Sequence, residues 1–207
     1  MFSFPFRLYP ITDTKISRLS HAAQVGQLSD GGARLIQLRE KSLSPREFYR
    51  EAEAAMRVAH DKGAQIIIND RADIALALRA SGVHVGQDDL SADAARRLLG
   101  SDAIIGLSTH SVAQAQLAAD LPVNYLAIGP IFTTSTKVNS APVLGLDGLR
   151  RVRDAIGAMP LVAIGGITLK NAPAVISAGA DAVAVIRALL EQESVISDNT
   201  SRFLQLL

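Results

Sequence analysis

RLIQLREK (34–41) and QIIIND (65–70) are apolar runs that stop abruptly in charge. The same cadence returns in GVHVGQDD (82–89), AIIGLSTH (103–110), YLAIGPIFTTSTK (125–137), LVAIGGIT (161–168) and AVAVIRAL (182–189). Apolar runs with polar tails, separated by helical segments, are the trace of a (β/α)8 TIM barrel, an α/β fold whose active site is built where the strands stop. The runs are near-continuous Val, Ile, Leu and Ala rather than alternating, as expected of parallel strands covered on both faces. A doubly wound open sheet is the main competitor. It is disfavoured because no glycine-rich fingerprint follows the first strand.

Working outward, strand one is expected over 7–13 (RLYPITD), followed by a helix over 17–29 that Gly31-Gly32 ends. Further strands are expected at 33–39, 65–70, 82–86, 103–108, 124–129, 161–165 and 182–187. Ser44-Pro45 should open the helix after strand two, with Ser as cap and Pro in the first turn, and Gly63 should close it. The last helix is expected over 198–206. No linker or charge block divides the chain, so residues 1–207 read as one barrel domain.

Composition narrows the function. Lys+Arg 21 against Asp+Glu 20 leaves a net charge of +1, so no global field draws nucleic acid or a membrane, and phosphate affinity must be local. The absence of cysteine removes disulfides, thiolate metal sites and Cys nucleophiles. The start reads as neither a secretory signal nor a membrane span, which points to the cytoplasm. Self-association is compatible with the sequence, which sets no oligomeric state.

The polar tails are the candidate site. Gln37, Arg39 and Lys41 alternate at the end of strand two and share a side, making either a local anion site or a solvated strand end on which Glu40 pairs locally. Asn69 and Asp70 close strand three, and Asp88-Asp89 follow strand four. Carboxylates from neighbouring strand ends can share one hard cation, Mg²⁺ above all, although one of Asp88 and Asp89 could instead cap a helix and Arg71 could neutralise Asp70. Ser108 and His110 lack the elbow glycines of a hydrolase, so the Ser108 hydroxyl reads as a phosphate donor and His110 as a helix opener or an acting group. His84, inside strand four, points into the barrel mouth or the core. His21 and His60 fall on expected helices and read as surface residues.

The loop 129–142 is long enough for a lid or clamp, with hydroxyls at Thr133, Thr134, Ser135 and Thr136 and a mobile ammonium at Lys137. Gly165-Gly166 lets backbone N–H groups approach an anion, at the customary phosphate position of the fold. Two anion sites emerge: one cationic and metal-assisted, suited to a pyrophosphate, and one of backbone N–H groups, suited to a monophosphate. Without Cys or an activated Ser, direct transfer between two bound small molecules is the economical chemistry.

LYPITD, QLREK, INDR, GVHVGQDD, GLSTH, GPIFTTSTK and VAIGGIT, in that order and spacing, resemble the thiamine phosphate synthase family from about residue 8 to 190. The resemblance implies an Mg²⁺-dependent transferase that joins a hydroxymethylpyrimidine diphosphate to a thiazole phosphate, releasing thiamine monophosphate and pyrophosphate through a carbocation. It implies that Gln37 and Asn69 hold the pyrimidine with His84 near it, and that Arg39, Lys41, Ser108 and Lys137 hold the diphosphate, Ser108 and Lys137 acting catalytically. Asp70 and Asp89 would bind Mg²⁺. Thr134 and Thr136 would face the thiazole, whose phosphate would lie on Gly166 and the strand-eight end. There this chain departs from many relatives, with Arg187 in place of Ser. Two alternatives remain: a related thiazole tautomerase, which typically lacks the acidic pair and INDR and relies on a His like His110, and a noncatalytic thiamine-intermediate sensor.

Overall fold

Eight short strands made of those apolar runs lie side by side in one parallel sheet in the computed structural model, which describes residues 4, 7–134 and 141–207. They are β1 (Leu8–Pro10), β2 (Leu35–Leu38), β3 (Gln65–Asn69), β4 (Gly82–Val85), β5 (Ile104–Thr109), β6 (Tyr125–Ile128), β7 (Leu161–Ile164) and β8 (Ala182–Val185). The order is β1-β8-β7-β6-β5-β4-β3-β2, and the barrel closes between β1 and β2 through the parallel bridge Ile11↔Gln37 and the bond from Thr12 N to Gln37 O (2.9 Å). Pro10 is tolerated because it sits at the end of the β1–β8 ladder, where the next bond is made by Ile11 N to Val185 O (3.1 Å).

Helices alternate with the strands: α1 (Thr14–Ser17), α2 (His21–Asp30), α3 (Pro45–Asp61), α4 (Ala72–Leu78), α5 (Ala92–Leu99), α6 (Val112–Ala118), α7 (Gly145–Ile156), α8 (Ala172–Ser177), α9 (Arg187–Leu190) and α10 (Ile196–Leu206). Ser44 caps α3 in a capping box with Glu47, and Pro45 occupies the first turn, as its sequence predicts. Two boundaries and one cap differ from expectation. The helix expected at 17–29 is two, because Asp13 caps α1, Arg18 ends it in the left-handed conformation, and Ser20 caps α2 anew. A short α9 and a 3-10 turn precede the last helix, which starts at Ile196. Neither Asp88 nor Asp89 caps α5; the Ser91 hydroxyl accepts from Ala94 N instead. No helix among the described residues is long and apolar enough to cross a membrane.

The period of two along each strand sorts the core into two layers. Ile36, Leu38, Ile66, Ile68, Val83, Val85, Ile105, Leu126, Ile128 and Val183 face the helices in the larger cluster. Tyr9, Ile11, Leu35, Ile67, Tyr125, Ala127, Val162, Ala182 and Ala184 fill the barrel. Each fully buried Ile or Leu contributes about 1.5–3 kcal/mol. The inward parity also brings Gln37, Asn69 and His84 inside, with 2%, 7% and 7% of their surface exposed. The site is therefore the polar cap on an apolar barrel.

Candidate active site at the strand ends

Asp70, immediately past β3, takes a left-handed backbone (φ 63°), its amide donating to His84 O (2.8 Å). That turn aims its carboxylate across the mouth, where Lys41 Nζ bonds it and the carboxylate of Asp89 comes within hydrogen-bond reach. Asp89 is folded back on its own loop, accepting from Gly86 N (2.7 Å). Burial raises the Asp70 pKa; the Lys41 ammonium opposes that rise and the Asp89 charge adds to it. Arg71, expected as an alternative partner of Asp70, pairs with Asp73 instead (2.5 Å).

These carboxylates fit a hard divalent cation. Two oxygen donors from neighbouring strand ends converge there, and the partly buried carboxylate of Asp70 is the one for which a further cation would offset desolvation. Among the described residues no group of three metal-ligating side chains exists, so the protein would supply two ligands and leave the remaining positions to water and substrate oxygens.

Of the basic triplet, only Lys41 reaches this acidic pair. Arg39 Nη1 donates to Asp13 Oδ2 (2.9 Å), across the gap between the β1 and β2 ends. A guanidinium has five N–H donors, and that bond uses one. Gln37 lies deeper, its Nε2 donating to Tyr9 Oη (3.2 Å). Glu40 turns inward rather than pairing with the basic residues: it accepts from Ser42, Thr14 and Leu43 and lies 3.6 Å from His21 Nε2. Burial alone would raise its pKa, but those bonds outweigh it and hold the carboxyl at about 2.

His21, expected at the surface, is fully buried; its Nδ1 bonds Thr12 Oγ1 (2.7 Å) and its ring packs against Phe48. It opens α2 with its side chain turned under the β1–β2 junction, which helical periodicity on so short a helix does not reveal. His60 is exposed as expected.

His84 stands in the barrel mouth between two hydroxyls, Nδ1 at 2.9 Å from Tyr125 Oη and Nε2 at 2.8 Å from Ser108 Oγ. Burial lowers its pKa to about 4, so the ring is neutral near pH 7. The Asn69 side-chain Nδ2 is buried beside it in the β3–β4 register with no hydrogen-bond partner. An orphaned donor of this kind costs about 1–3 kcal/mol unless a ligand acceptor meets it. His110 is tied off the mouth: its Nδ1 bonds Gly129 O (2.8 Å), while Ser111 caps α6.

The other side of the mouth is built from backbone. The Gly129-Pro130 peptide is cis, and residues 130–133 lie against Gly165 and Gly166. A Cβ on Gly166 would sit 2.6 Å from Thr133 O, and Gly165 and Gly166 adopt φ of 105° and 63°. These glycines thus admit the neighbouring loop as closely as they could admit an anion. Asn171 Nδ2 donates to Gly166 O (3.0 Å) and holds the turn. Arg187 begins α9 and pairs with Glu191 (3.1 Å). Thr134 is half-buried at the end of the described part of its loop, while Thr136 and Lys137 lie outside the described residues.

Tyr9, Tyr125 and Asp13 escaped the sequence reading. The available signal was a Tyr inside an otherwise apolar strand, whose hydroxyl must find a partner when buried.

A closed parallel barrel with acids, cations and an orphaned amide gathered at the carboxyl ends of its strands has the layout of a (β/α)8 enzyme. A family model described as thiamine monophosphate synthase matches residues 8–189. The chain is 46% identical over 208 residues to the thiamine-phosphate synthase of Koribacter versatilis, covering 97% of this chain and 95% of that one. It is 44% identical over 191 residues to that of Chloroflexus aurantiacus, covering 92% and 88%. A solved thiamine phosphate pyrophosphorylase from Pyrococcus furiosus superposes with a TM-score of 0.87 at 33% identity, over 97% of this chain and 95% of that one. The chain belongs to the thiamine monophosphate synthase family and is an enzyme of its transferase class.

Proposed function

We propose that the chain joins the methylene carbon of an aminopyrimidine diphosphate to the ring nitrogen of a hydroxyethylthiazole phosphate, forming thiamine monophosphate and releasing pyrophosphate. One observation carries this reading: Lys41, Asp70 and Asp89 meet beside the unpartnered Asn69 amide, so a charged group and a neutral heterocycle have adjoining places.

The carbon–oxygen bond to the diphosphate breaks first, its electron pair leaving with pyrophosphate, and the electron-rich pyrimidine carries the resulting positive charge. The thiazole nitrogen lone pair then closes the new bond. That nitrogen holds no proton, so no general base is required. Asn69 Nδ2 donates to a ring acceptor and, with Gln37, orients the pyrimidine. His84 forms a polar but uncharged wall, since burial keeps it neutral near pH 7 and an imidazolium there would repel the carbocation.

Lys41, Ser108, the remaining guanidinium donors of Arg39 and, from outside the described residues, Lys137 neutralise the departing pyrophosphate. Asp70 and Asp89 would hold Mg²⁺, which when bound supplies further charge neutralisation on the diphosphate oxygens. Thr134 and, from outside the described residues, Thr136 are assigned to the thiazole, whose phosphate rests on Gly166 and Arg187. The deciding experiment mixes the protein with Mg²⁺ and both substrates and follows thiamine monophosphate and pyrophosphate. Equal formation of the two products supports the reading, and binding of both substrates without either product sinks it.

A further inference from the structure

Five polar side chains form one hydrogen-bonded file through the barrel interior. Gln37 Nε2 donates to Tyr9 Oη (3.2 Å), Tyr9 Oη meets Tyr125 Oη (2.9 Å), Tyr125 Oη meets His84 Nδ1 (2.9 Å), and His84 Nε2 meets Ser108 Oγ (2.8 Å). The file starts among fully buried groups, both tyrosines being at most 1% exposed, and ends at the β5 tip. Space is kept for it: a Cβ on Gly106 would overlap the Tyr125 ring and come 2.5 Å from His84 Nδ1.

The inner end sets a direction. A phenol has one hydrogen to give. Tyr9 accepts from the Gln37 amide and so gives its own hydrogen to Tyr125, which in turn gives to His84 Nδ1. A neutral imidazole that accepts at Nδ1 carries its proton on Nε2, and that proton goes to Ser108. In the opposite direction Tyr9 would receive from both Gln37 and Tyr125, and its own hydrogen would have no acceptor among the hydrogen bonds of Tyr9.

We infer that Tyr9 and Tyr125 are positioning residues that lock His84 in the Nε2–H tautomer and so commit Ser108 to donating its hydroxyl hydrogen to an anionic oxygen at the barrel mouth. The inference rests on the reading of Ser108 as a diphosphate ligand. It deepens that reading, because Ser108 then offers only a donor and discriminates in favour of acceptor-rich groups. The donor is also set before the ligand arrives.

The test is ¹⁵N spectroscopy of the imidazole rings in the uniformly labelled protein without substrate, with His84 identified among the four histidines by the signal lost in His84→Gln. The wild type is expected to show Nε2 protonated and Nδ1 bare. Tyr125→Phe removes the hydroxyl that donates to Nδ1 and should populate the other tautomer, letting Ser108 donate inward. Its calorimetric dissociation constant for inorganic pyrophosphate should then rise roughly 5- to 10-fold, the scale of one lost hydrogen bond. Tyr9→Phe leaves the Tyr125 donor in place and should weaken binding by only about 2-fold. An Nδ1–H tautomer in the wild type overturns the inference, as does a Tyr125→Phe variant unchanged in both tautomer and affinity. Wild-type protein with the Nε2–H tautomer but no affinity for pyrophosphate overturns the diphosphate reading and the commitment of Ser108 to it, while leaving the tyrosine file standing.

Discussion

The two halves of the barrel mouth are made of different materials. From the ends of β2 to β5 the surface is side chains, with Lys41, Asn69, Asp70, His84, Asp89 and Ser108 converging through ion pairs and hydrogen bonds. From β6 to β8 the described residues are largely backbone, with a cis Gly129-Pro130 peptide, Gly165 and Gly166 packed by the 130–133 loop, and Arg187 tied to Glu191. Side chains place full charges and can follow charge that builds up in a reaction. Backbone supplies a fixed shape that one added methyl group spoils. Under the proposed function the first half, joined by Lys137 from the loop after β6, would serve a leaving group whose charge grows, and the glycine turn of the second a phosphate that is only held.

Removing one charge from the first half should have the largest effect. Asp70→Asn keeps a side chain that tolerates the left-handed backbone and deletes only the charge. Turnover should fall about 100- to 1000-fold, the range seen when one electrostatic contact to a transition state is lost. The melting temperature should stay close to wild type, because the exposed Lys41 partner contributes little. A variant retaining full Mg²⁺-dependent turnover would erase the proposed division of labour.

His84 gives the first half a pH signature. Its pKa is 6.5 when unfolded and about 4 when folded, so between these values the unfolded chain binds more protons. Stability from this group is complete above about pH 6.5 and is lost as pH falls toward 4, by up to about 3 kcal/mol. Glu40, held at about 2, loses its contribution in a lower window, from about pH 4.5 down. Urea unfolding at pH 7.5 and 4.5 should show a smaller loss in His84→Gln than in the wild type, with buried His21, whose pKa burial also lowers, contributing to what remains. Equal slopes in the two proteins would move the acid sensitivity elsewhere.

In the second half the sensitive atom is a Cβ. Gly166→Ala forces a left-handed alanine, at about 1–2 kcal/mol, onto Thr133 O and Phe132 Cβ. Stability should drop by roughly 2–3 kcal/mol once the overlap is relaxed, and KM for the thiazole phosphate should rise more than kcat falls. A fall in kcat alone would place Gly166 among the groups that act on the leaving pyrophosphate.

Arg187→Ala should do least. Its partly exposed pair with Glu191 is worth under about 1 kcal/mol, so thermal unfolding should barely move while KM for the thiazole phosphate increases a few-fold. An unchanged KM would leave that phosphate to backbone alone and make the contrast between the halves complete.

How much of this was legible beforehand differs along the chain. All eight strands, the capping box at Ser44 and the polar strand tails follow from local chemistry: apolar runs of strand length, Ser-Pro before a helix, acids directly after an apolar run. Gln37 and Asn69 could be placed because strand parity sends alternate residues to one side, whereas Asp70, one residue further on, reaches the mouth only through its left-handed turn. The helix boundary near Arg18 and the identity of the cap of α5 were not legible, since Ser20 and Ser91 competed successfully as caps. Arg39 and Glu40 illustrate the same limit for charge: neighbours in sequence, they turn to Asp13 and toward His21, partners brought up by β1 and α2.

The sequence by itself determined the barrel, the end of it that carries the chemistry and the residue types available there. Period and composition are properties of short segments, and burial on both faces of each strand leaves a direct mark in them. Tertiary structure alone decided which of those groups touch. Tyr9 and Tyr125 lie 116 residues apart and share a hydrogen bond, and His21 is buried on a short amphipathic helix. Such pairings depend on barrel closure, which brings β1 against β8 and β2 and stacks inward side chains from distant strands into one interior. No local pattern encodes that geometry, because each hydroxyl or carboxylate is satisfied by whichever partner the closed barrel delivers.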